Sequence, residues 1–399
     1  MASRSFCHKL ACALGTAAVA AHRATMHFID LEAQFAELKP AIERGIHAVL
    51  SHGQFIMGPE VHELEERLAD YCGVGHAITC ANGTDALVLA LRALGIGQGH
   101  AVFTTPFTFF ATVEAILLVG AEPIFVDVDP ATFNLDPVKL EQAIVRASVS
   151  GNAVPRAVIA VDLFGLLADY GAIEPLCATH GLDLIEDAAQ AFGSEHRGRR
   201  AGAFGSIATT SFFPAKPLGC YGDGGALFTR DEGLAETLRS LRAHGQGAHK
   251  YENVRVGTNS RLDTLQAAIL LAKFEAFPAE LRRRQQSADK YRNGLPAWLQ
   301  SQIVPVGSSS SWAQYSVVAP STDARERALA ALRAAGVPAQ IYYSTPLHLQ
   351  PALGGKGYSP GDFPAAEALA RRIFSLPFGA YLSPFDQKRV ISLMQSCPC

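Results

Sequence analysis

Lys216 is the residue of this chain best placed to do covalent chemistry. It stands in Thr210-Ser-Phe-Phe-Pro-Ala-Lys216-Pro-Leu-Gly-Cys-Tyr-Gly-Asp-Gly-Gly225, between an apolar run and a glycine-rich turn. A lone lysine held among apolar groups has its amine pKa lowered, and a neutral amine attacks carbonyl carbons. The glycines let backbone pass close to a bulky ligand. Alone, a loop lysine reads as a solvated surface group; its company changes that. Upstream, Leu184-Ile-Glu-Asp187-Ala-Ala-Gln190 ends an apolar run in an acid. Open α/β sheets bind ligands at the carboxyl ends of their strands, and an acid there can keep a heteroaromatic ring nitrogen protonated. Asp187 equally suits a helix cap. Glu186 alternates to the opposite face and reads as structural.

Two further stretches fit a ligand at the same edge. Ala81-Asn82-Gly83-Thr84-Asp85-Ala86 joins an apolar run to a helical pattern. Backbone N–H groups at a helix start form an anion site, Gly83 permits close approach, and Thr84 adds a hydroxyl. An ordinary cap by Asn82 or Thr84 is the plainer alternative. In Thr105-Pro-Phe-Thr-Phe109-Phe-Ala-Thr112, Phe109 can stack on a flat ring or serve the core.

These residues need a scaffold of strands ending on one edge. From residue 76 the chain alternates apolar β-type runs with helical patterns. Strands are expected at His76–Cys80, Ala101–Thr105, Pro123–Val128, Ala157–Leu163 and Asp183–Glu186. Helices are expected at Thr84–Leu94, Phe109–Val119, Pro137–Ala147 and Tyr170–His180. Such alternation, with strands apolar throughout, predicts a mostly parallel sheet covered on both faces. Ile207–Phe213 and Gly225–Thr229 have only a loop between them and predict an antiparallel pair. Helices follow at Glu232–Ala243, Asp263–Phe277 and Glu280–Tyr291. The last third, with helices Ala324–Ala335 and Ala365–Ile373 among β-type runs, reads as a smaller α/β unit. No repeat or low-complexity linker is present. Gly95-Ile-Gly-Gln-Gly99 follows a helix and precedes a strand, the wrong order for a dinucleotide fingerprint.

Composition narrows the class. The 399 residues are 49% hydrophobic and 18% charged, which excludes a disordered chain. Net charge is -3 without blocks of like charge, so neither nucleic acid nor an anionic membrane is an expected partner. No apolar stretch is long enough to span a bilayer. The eight cysteines lack paired C-x2-C spacing, so no metal is expected, and they read as free intracellular thiols. Cys397-Pro-Cys399 reads as a frayed tail. Residues 1–25 are alanine-rich and contain no acid. They resemble a secretory signal or transit peptide, but Met26 stands directly before patterned sequence, and a misplaced start is the favoured reading.

Taken together, the lysine, the upstream aspartate, the Gly-Thr turn and the strand-end aromatic resemble pyridoxal-phosphate enzymes of the aspartate-aminotransferase fold. More narrowly, the chain resembles the nucleotide-sugar aminotransferases of the DegT/StrS type. The carriers are Asn82-Gly-Thr-Asp-Ala-Leu87, Glu186-Asp-Ala-Ala-Gln190, Ser211-Phe-Phe-Pro-Ala-Lys216, Gly222-Asp-Gly-Gly225, Asn259-Ser-Arg-Leu-Asp-Thr-Leu-Gln266 and Ser375-Leu-Pro377, over about residues 28–393. Phe28-Ile-Asp-Leu, His52-Gly-Gln, Gly58-Pro-Glu-Val61 and His244-Gly-Gln246 are similar to the group that aminates C3 of UDP-2-acetamido-2-deoxy-3-oxo-glucuronate for O-antigen sugars. Tyr342 and Thr258 stand where that group often has histidine and valine.

The resemblance implies a large seven-stranded domain over residues 26–277 and a smaller domain over 278–399. It implies that Lys216 forms a Schiff base with the cofactor and then moves the proton, and that Asp187 pairs with the ring nitrogen. It further implies that Gln190 meets the ring hydroxyl, Phe109 stacks on the ring, and Gly83, Thr84 and Ser211 hold the phosphate. Asn259 would reach the phosphate in the partner subunit, which implies a homodimer with shared sites. Arg261, Tyr342 and Tyr343 would meet substrate; Arg261 also suits a salt bridge at a helix start. L-glutamate is the implied donor, a nucleotide sugar the acceptor, and the cytoplasm the location. Two alternatives stay open: a 4-aminotransferase acting on a dTDP- or UDP-4-keto-6-deoxy sugar, and a regulatory relative without turnover. Some members of that family carry histidine in place of the lysine and are dehydratases; Lys216 argues against that branch.

Overall fold

The computed structural model describes residues 26–151, 153–249 and 251–397. The alanine-rich segment 1–25 and Cys399 lie outside the described residues. The chain enters through two helices that the strand–helix reading did not identify. Helix α1 (Leu31–His52) starts where the Asp30 side chain accepts from the Ala33 N–H at 2.8 Å, and ends at Gly53 with φ 72°. Helix α2 (Pro59–Cys72) carries proline at its first position, where a missing N–H costs nothing.

The alternating pattern then unfolds as expected. Strand β1 (His76–Cys80) leads to α3 (Gly83–Ala93), β2 (His100–Thr104), α4 (Ala111–Leu118) and β3 (Glu122–Phe125). There follow α5 (Pro137–Ser150), β4 (Val154–Val161), α6 (Tyr170–His180) and β5 (Asp183–Asp187). A short hairpin, β6 (Glu195–His196) and β7 (Arg199–Arg200), precedes β8 (Ile207–Ser211), β9 (Gly225–Thr229) and α7 (Glu232–Arg242). The large sheet has seven strands in the order β1-β9-β8-β5-β4-β2-β3. Strands β3, β2, β4, β5 and β8 are mutually parallel, and β9 runs antiparallel between β8 and β1.

Both faces of this sheet are covered, which is why its central strands lack polar alternation. On one face Leu87, Leu91 and Ile116 of α3 and α4 pack on Ile78, Ile159 and Ile185. On the other, Leu140, Ile144 and Ile173 of α5 and α6 pack on Val158 and Leu184. The parallel connections leave the carboxyl ends of β2, β4, β5 and β8 on one edge.

The expected pair of helices around residue 278 is a single helix, α8 (Thr264–Gly294), with Pro278 inside it. A mid-helix proline normally interrupts a helix. Here burial on both sides outweighs that cost. Ala267, Leu270 and Phe277 sit in one core with α2, while Ala288 and Tyr291 sit in another with the chain's last third. The position 277/278 thus falls inside a continuous helix rather than at a linker.

The last third begins with β10 (Gln300–Ser301) and β11 (Ser308–Ser309), then β12 (Tyr315–Val318), α9 (Thr322–Ala334), α10 (Pro364–Arg372), β13 (Ile373–Leu376) and α11 (Pro384–Ser396). Strands β10, β12 and β13 form an antiparallel sheet, and β11 joins the β6–β7 hairpin. Tyr315, Phe374, Phe378 and Met394 fill its core together with Met26 of the entering arm. Cys397 is buried there too, so this cysteine is packed rather than frayed. Among the described residues no helix is long and apolar enough to cross a membrane, and no group of acids, histidines and cysteines is placed to hold a metal ion.

Candidate active site

The site is built on the carboxyl ends of β5 and β8, parallel neighbours in the sheet. Asp187 ends β5 and is buried. Its Oδ2 accepts from the Thr112 hydroxyl at 2.9 Å, and its Oδ1 accepts from the Ala189 N–H at 3.2 Å. Burial raises the Asp187 pKa, while these two donors and the Lys216 amine pull it back. Thr112, in the first turn of α4, therefore fixes the carboxylate. That role was not visible in the sequence, although Thr112 closes the Thr105–Thr112 stretch already noted. Glu186 faces the other way, as strand alternation requires. Its two oxygens accept from the Gly202 and Phe204 N–H groups, each at 2.9 Å. Burial pushes Glu186 up to about 7. Beside it Asp162, held by the Ala168 N–H and the Tyr170 hydroxyl, is raised by burial and by the Glu186 charge.

Lys216 follows β8 in a tight turn, its N–H donating to Phe213 O at 2.8 Å. The amine's pKa is lowered by burial and partly restored by Asp187. Both residues line one cavity of about 960 Å³, within the range of small-ligand sites. This is the environment a nucleophilic lysine needs: an amine whose pKa burial lowers, in a cavity shared with a fixed acid.

Asn82, Gly83, Thr84 and Ser211 line the same cavity. The choice of cap left open by the sequence is settled by Asn82, whose Oδ1 accepts from the Asp85 N–H at 2.8 Å. The first N–H groups of α3, those of Gly83 and Thr84, have no intrahelical acceptor and suit an anion. Gly83 is required sterically: a methyl group there would lie 2.7 Å from Ser211 Cβ. Gly83→Ala is therefore expected to push Ser211 and α3 apart. It should cost about 1–3 kcal/mol of stability, as overpacking does, and weaken pyridoxal-phosphate affinity severalfold. Thermal melts and cofactor titration check both; unchanged affinity would remove Gly83 from the site.

The other expected residues divide into two groups. Phe109, Gln190, Tyr342 and Tyr343 line the cavity. Phe109 is 57% exposed, so one ring face is available. Gln190 is buried; its Oε1 accepts from the Phe164 N–H at 2.8 Å and its Nε2 donates to the Tyr343 hydroxyl at 3.2 Å. Asn259 and Arg261 are not brought to the cavity of their own chain. Their neighbour Ser260 donates to Asp85 Oδ2 at 2.6 Å, which ties the segment to the start of α3 but leaves Asn259 exposed. Arg261 Nε is enclosed with no hydrogen-bond partner. Gln314 and Gln350 also line the cavity and had no signal in the sequence, and Asp223, inside the Gly222–Gly225 motif, lines it too.

This donor set fits pyridoxal phosphate. A helix start beside a glycine and two hydroxyls suits a phosphate, a fixed buried acid suits a ring nitrogen, and an enclosed amine suits an aldehyde. Four likenesses agree with that fit. Residues 37–395 match the DegT/DnrJ/EryC1/StrS aminotransferase family. The chain is 47% identical over 370 residues to a UDP-2-acetamido-2-deoxy-3-oxo-D-glucuronate aminotransferase of Pseudomonas aeruginosa, covering 92% of this chain and 99% of that one. Its fold superimposes on a crystal structure of a DegT DnrJ EryC1 StrS aminotransferase from Brucella abortus with a TM-score of 0.90 and 49% identity, over 93% of this chain and 98% of that one. It also superimposes on NtdA of Bacillus subtilis with bound cofactor PMP, with a TM-score of 0.82 and 28% identity over 90% of this chain and 81% of that one. The chain belongs to the DegT/DnrJ/EryC1/StrS aminotransferase family, and its cofactor is pyridoxal 5'-phosphate.

Proposed function

We propose that this chain moves an amino group from L-glutamate to C3 of UDP-2-acetamido-2-deoxy-3-oxo-glucuronate, in the cytoplasm, for a surface-polysaccharide sugar such as those of O-antigen. The observation that carries the reaction class is the placement of Lys216 and Asp187 in one enclosed cavity. The choice of sugar rests on the likeness to the Pseudomonas aeruginosa enzyme.

When bound, the cofactor acts as an electron sink that makes a substrate C–H bond acidic. The chain's own groups do the rest. Lys216 would hold the cofactor through its Nζ, and the same amine, when free, would carry the proton taken from the donor carbon. Burial lowers the pKa of that amine, the direction a general base needs. Asp187, fixed by Thr112 and Ala189, keeps the ring nitrogen protonated. Gly83, Thr84 and Ser211 anchor the phosphate, Phe109 covers the ring, and Gln190 meets its hydroxyl. Tyr342 and Tyr343 would meet the acceptor. The same lysine serves both half-reactions, so ping-pong kinetics are expected.

A second copy of the chain supports the site in this reading. Lys216 is the single cation on the cavity wall among the described residues, beside Asp85, Asp187 and Asp223. A phosphate, a nucleotide diphosphate and a uronate together need more positive charge than that. In a homodimer, Arg261 of the partner subunit would supply positive charge and Asn259 of the partner subunit a neutral donor for the phosphate.

The test is amination of a panel of UDP- and dTDP-ketosugars with L-glutamate as donor. Turnover of the 3-oxo-glucuronate with parallel double-reciprocal plots is the expected result. Activity confined to a dTDP-4-keto-6-deoxy sugar would move the chain to the 4-aminating branch, and no turnover with any sugar would favour a regulatory relative.

A further inference from the structure

Gln314 has no place in the scheme above, yet its surroundings are those of a recognition group. It lies just before β12, on the wall of the cavity that holds Lys216. Its Oε1 is shielded from solvent and has no hydrogen-bond partner among the described residues. Buried polar atoms are nearly always paired, so an orphan on the wall of a ligand cavity calls for a partner from the ligand.

The backbone around it is held rigidly. The Ser311 N–H donates to Gly165 O at 3.1 Å, the Ala313 N–H donates to Phe164 O at 3.0 Å, and the Ser311 hydroxyl donates to Gln190 O at 3.0 Å. Trp312, buried two positions before it, donates its ring N–H to Gln285 Oε1 at 2.9 Å. Tyr315, on the next, pairs with Leu376 inside the sheet. Clamped on both sides, Gln314 presents its amide to the cavity at little conformational cost, the arrangement a specific contact requires.

Three neighbouring polar groups of the cavity already have occupations. Asn82 caps α3, Asp187 accepts from Thr112 and Ala189, and Gln190 is engaged by Phe164 and Tyr343 at both ends of its amide. A carboxamide both donates and accepts, and it can turn either end toward a ligand. That matches a neutral group of the same dual character, a ring hydroxyl or an acetamido substituent. A carboxylate would favour a cation instead.

We infer that Gln314 is a specificity-determining residue that hydrogen-bonds a hydroxyl or acetamido group on the sugar of the nucleotide-sugar acceptor. The assignment rests on the nucleotide-sugar reading and names a contact within it. The amino donor, which carries carboxylates and no such group, does not use this contact.

The two half-reactions separate the roles. In Gln314→Leu, conversion of the cofactor by L-glutamate, followed by absorbance in single turnover, is expected to stay within twofold of wild type. The second half-reaction with the ketosugar should lose about tenfold in kcat/KM, the loss of roughly one neutral hydrogen bond. Wild type should lose a similar factor on an acceptor lacking the contacted group, whereas Gln314→Leu should not distinguish the two acceptors. Thermal stability should hold or rise, because the variant removes an unpaired buried oxygen; a purely structural glutamine would lower it. Equal losses in both half-reactions, or no loss in the second, overturn the assignment while wild-type turnover stands. A wild type inactive on every ketosugar overturns the acceptor reading, and this contact with it.

Discussion

Lys216→Ala is expected to lower turnover by about 10²–10⁴-fold or more, the range lost when a positioned proton-transfer group is removed. It should also abolish the visible absorbance of the lysine-bound cofactor. The size of the effect follows from the cavity. Lys216 is its single cation among the described residues, and Asp187 faces it, so no neighbouring amine can take over. The cofactor should still bind, because Gly83, Thr84 and Ser211 stand on other elements and do not depend on the lysine. A small exogenous amine should restore part of the proton transfer. The alternative is the plain sequence reading, in which Lys216 is a solvated loop residue. That reading expects turnover within a few-fold of wild type and an unchanged spectrum. Stopped-flow absorbance on the purified variant separates the two.

The sequence exposed those parts of the site that are written in consecutive residues. Strand β5 was legible because an apolar run ends in an acid, and the same run placed Glu186 on the opposite face. The start of α3 was legible because Asn82, Gly83 and Thr84 are punctuation residues between a strand and a helix. Position-by-position features were less visible. Thr112 fixes Asp187 across 75 positions of sequence, and no local pattern marks that contact. Gln314 is a single amide before a short strand, meaningful only once the fold shows what it faces. The break expected near Pro278 failed for a tertiary reason: two cores bury opposite halves of α8, and their packing outweighs the proline. The two helices before residue 76 lie outside the strand–helix alternation and are marked only at their ends, α1 by Asp30 and Gly53 and α2 by Gly58 and Gly73.

Asn259 supports the other large effect. Lys216→Ala and Asn259→Asp should each be nearly inactive alone, the second because a carboxylate would face the cofactor phosphate. If Asn259 serves the partner's site, mixing the two variants under conditions that exchange subunits should recover about a quarter of wild-type activity per chain. Half of the randomly formed C2 dimers are then mixed, and each has one intact site of two. The structure gives this arrangement two supports. Asn259 is exposed and absent from its own chain's cavity wall. Val254 and Val256, on the same segment, are 55% and 82% exposed, an apolar surface that a second chain can cover. Recovery discriminates cleanly, because a residue acting within its own chain leaves every site of a mixed dimer with one lesion. Two affinity tags purified in sequence isolate the mixed dimer and fix its amount. An isolated mixed dimer without activity would return Asn259 to its own chain and remove the argument for shared sites.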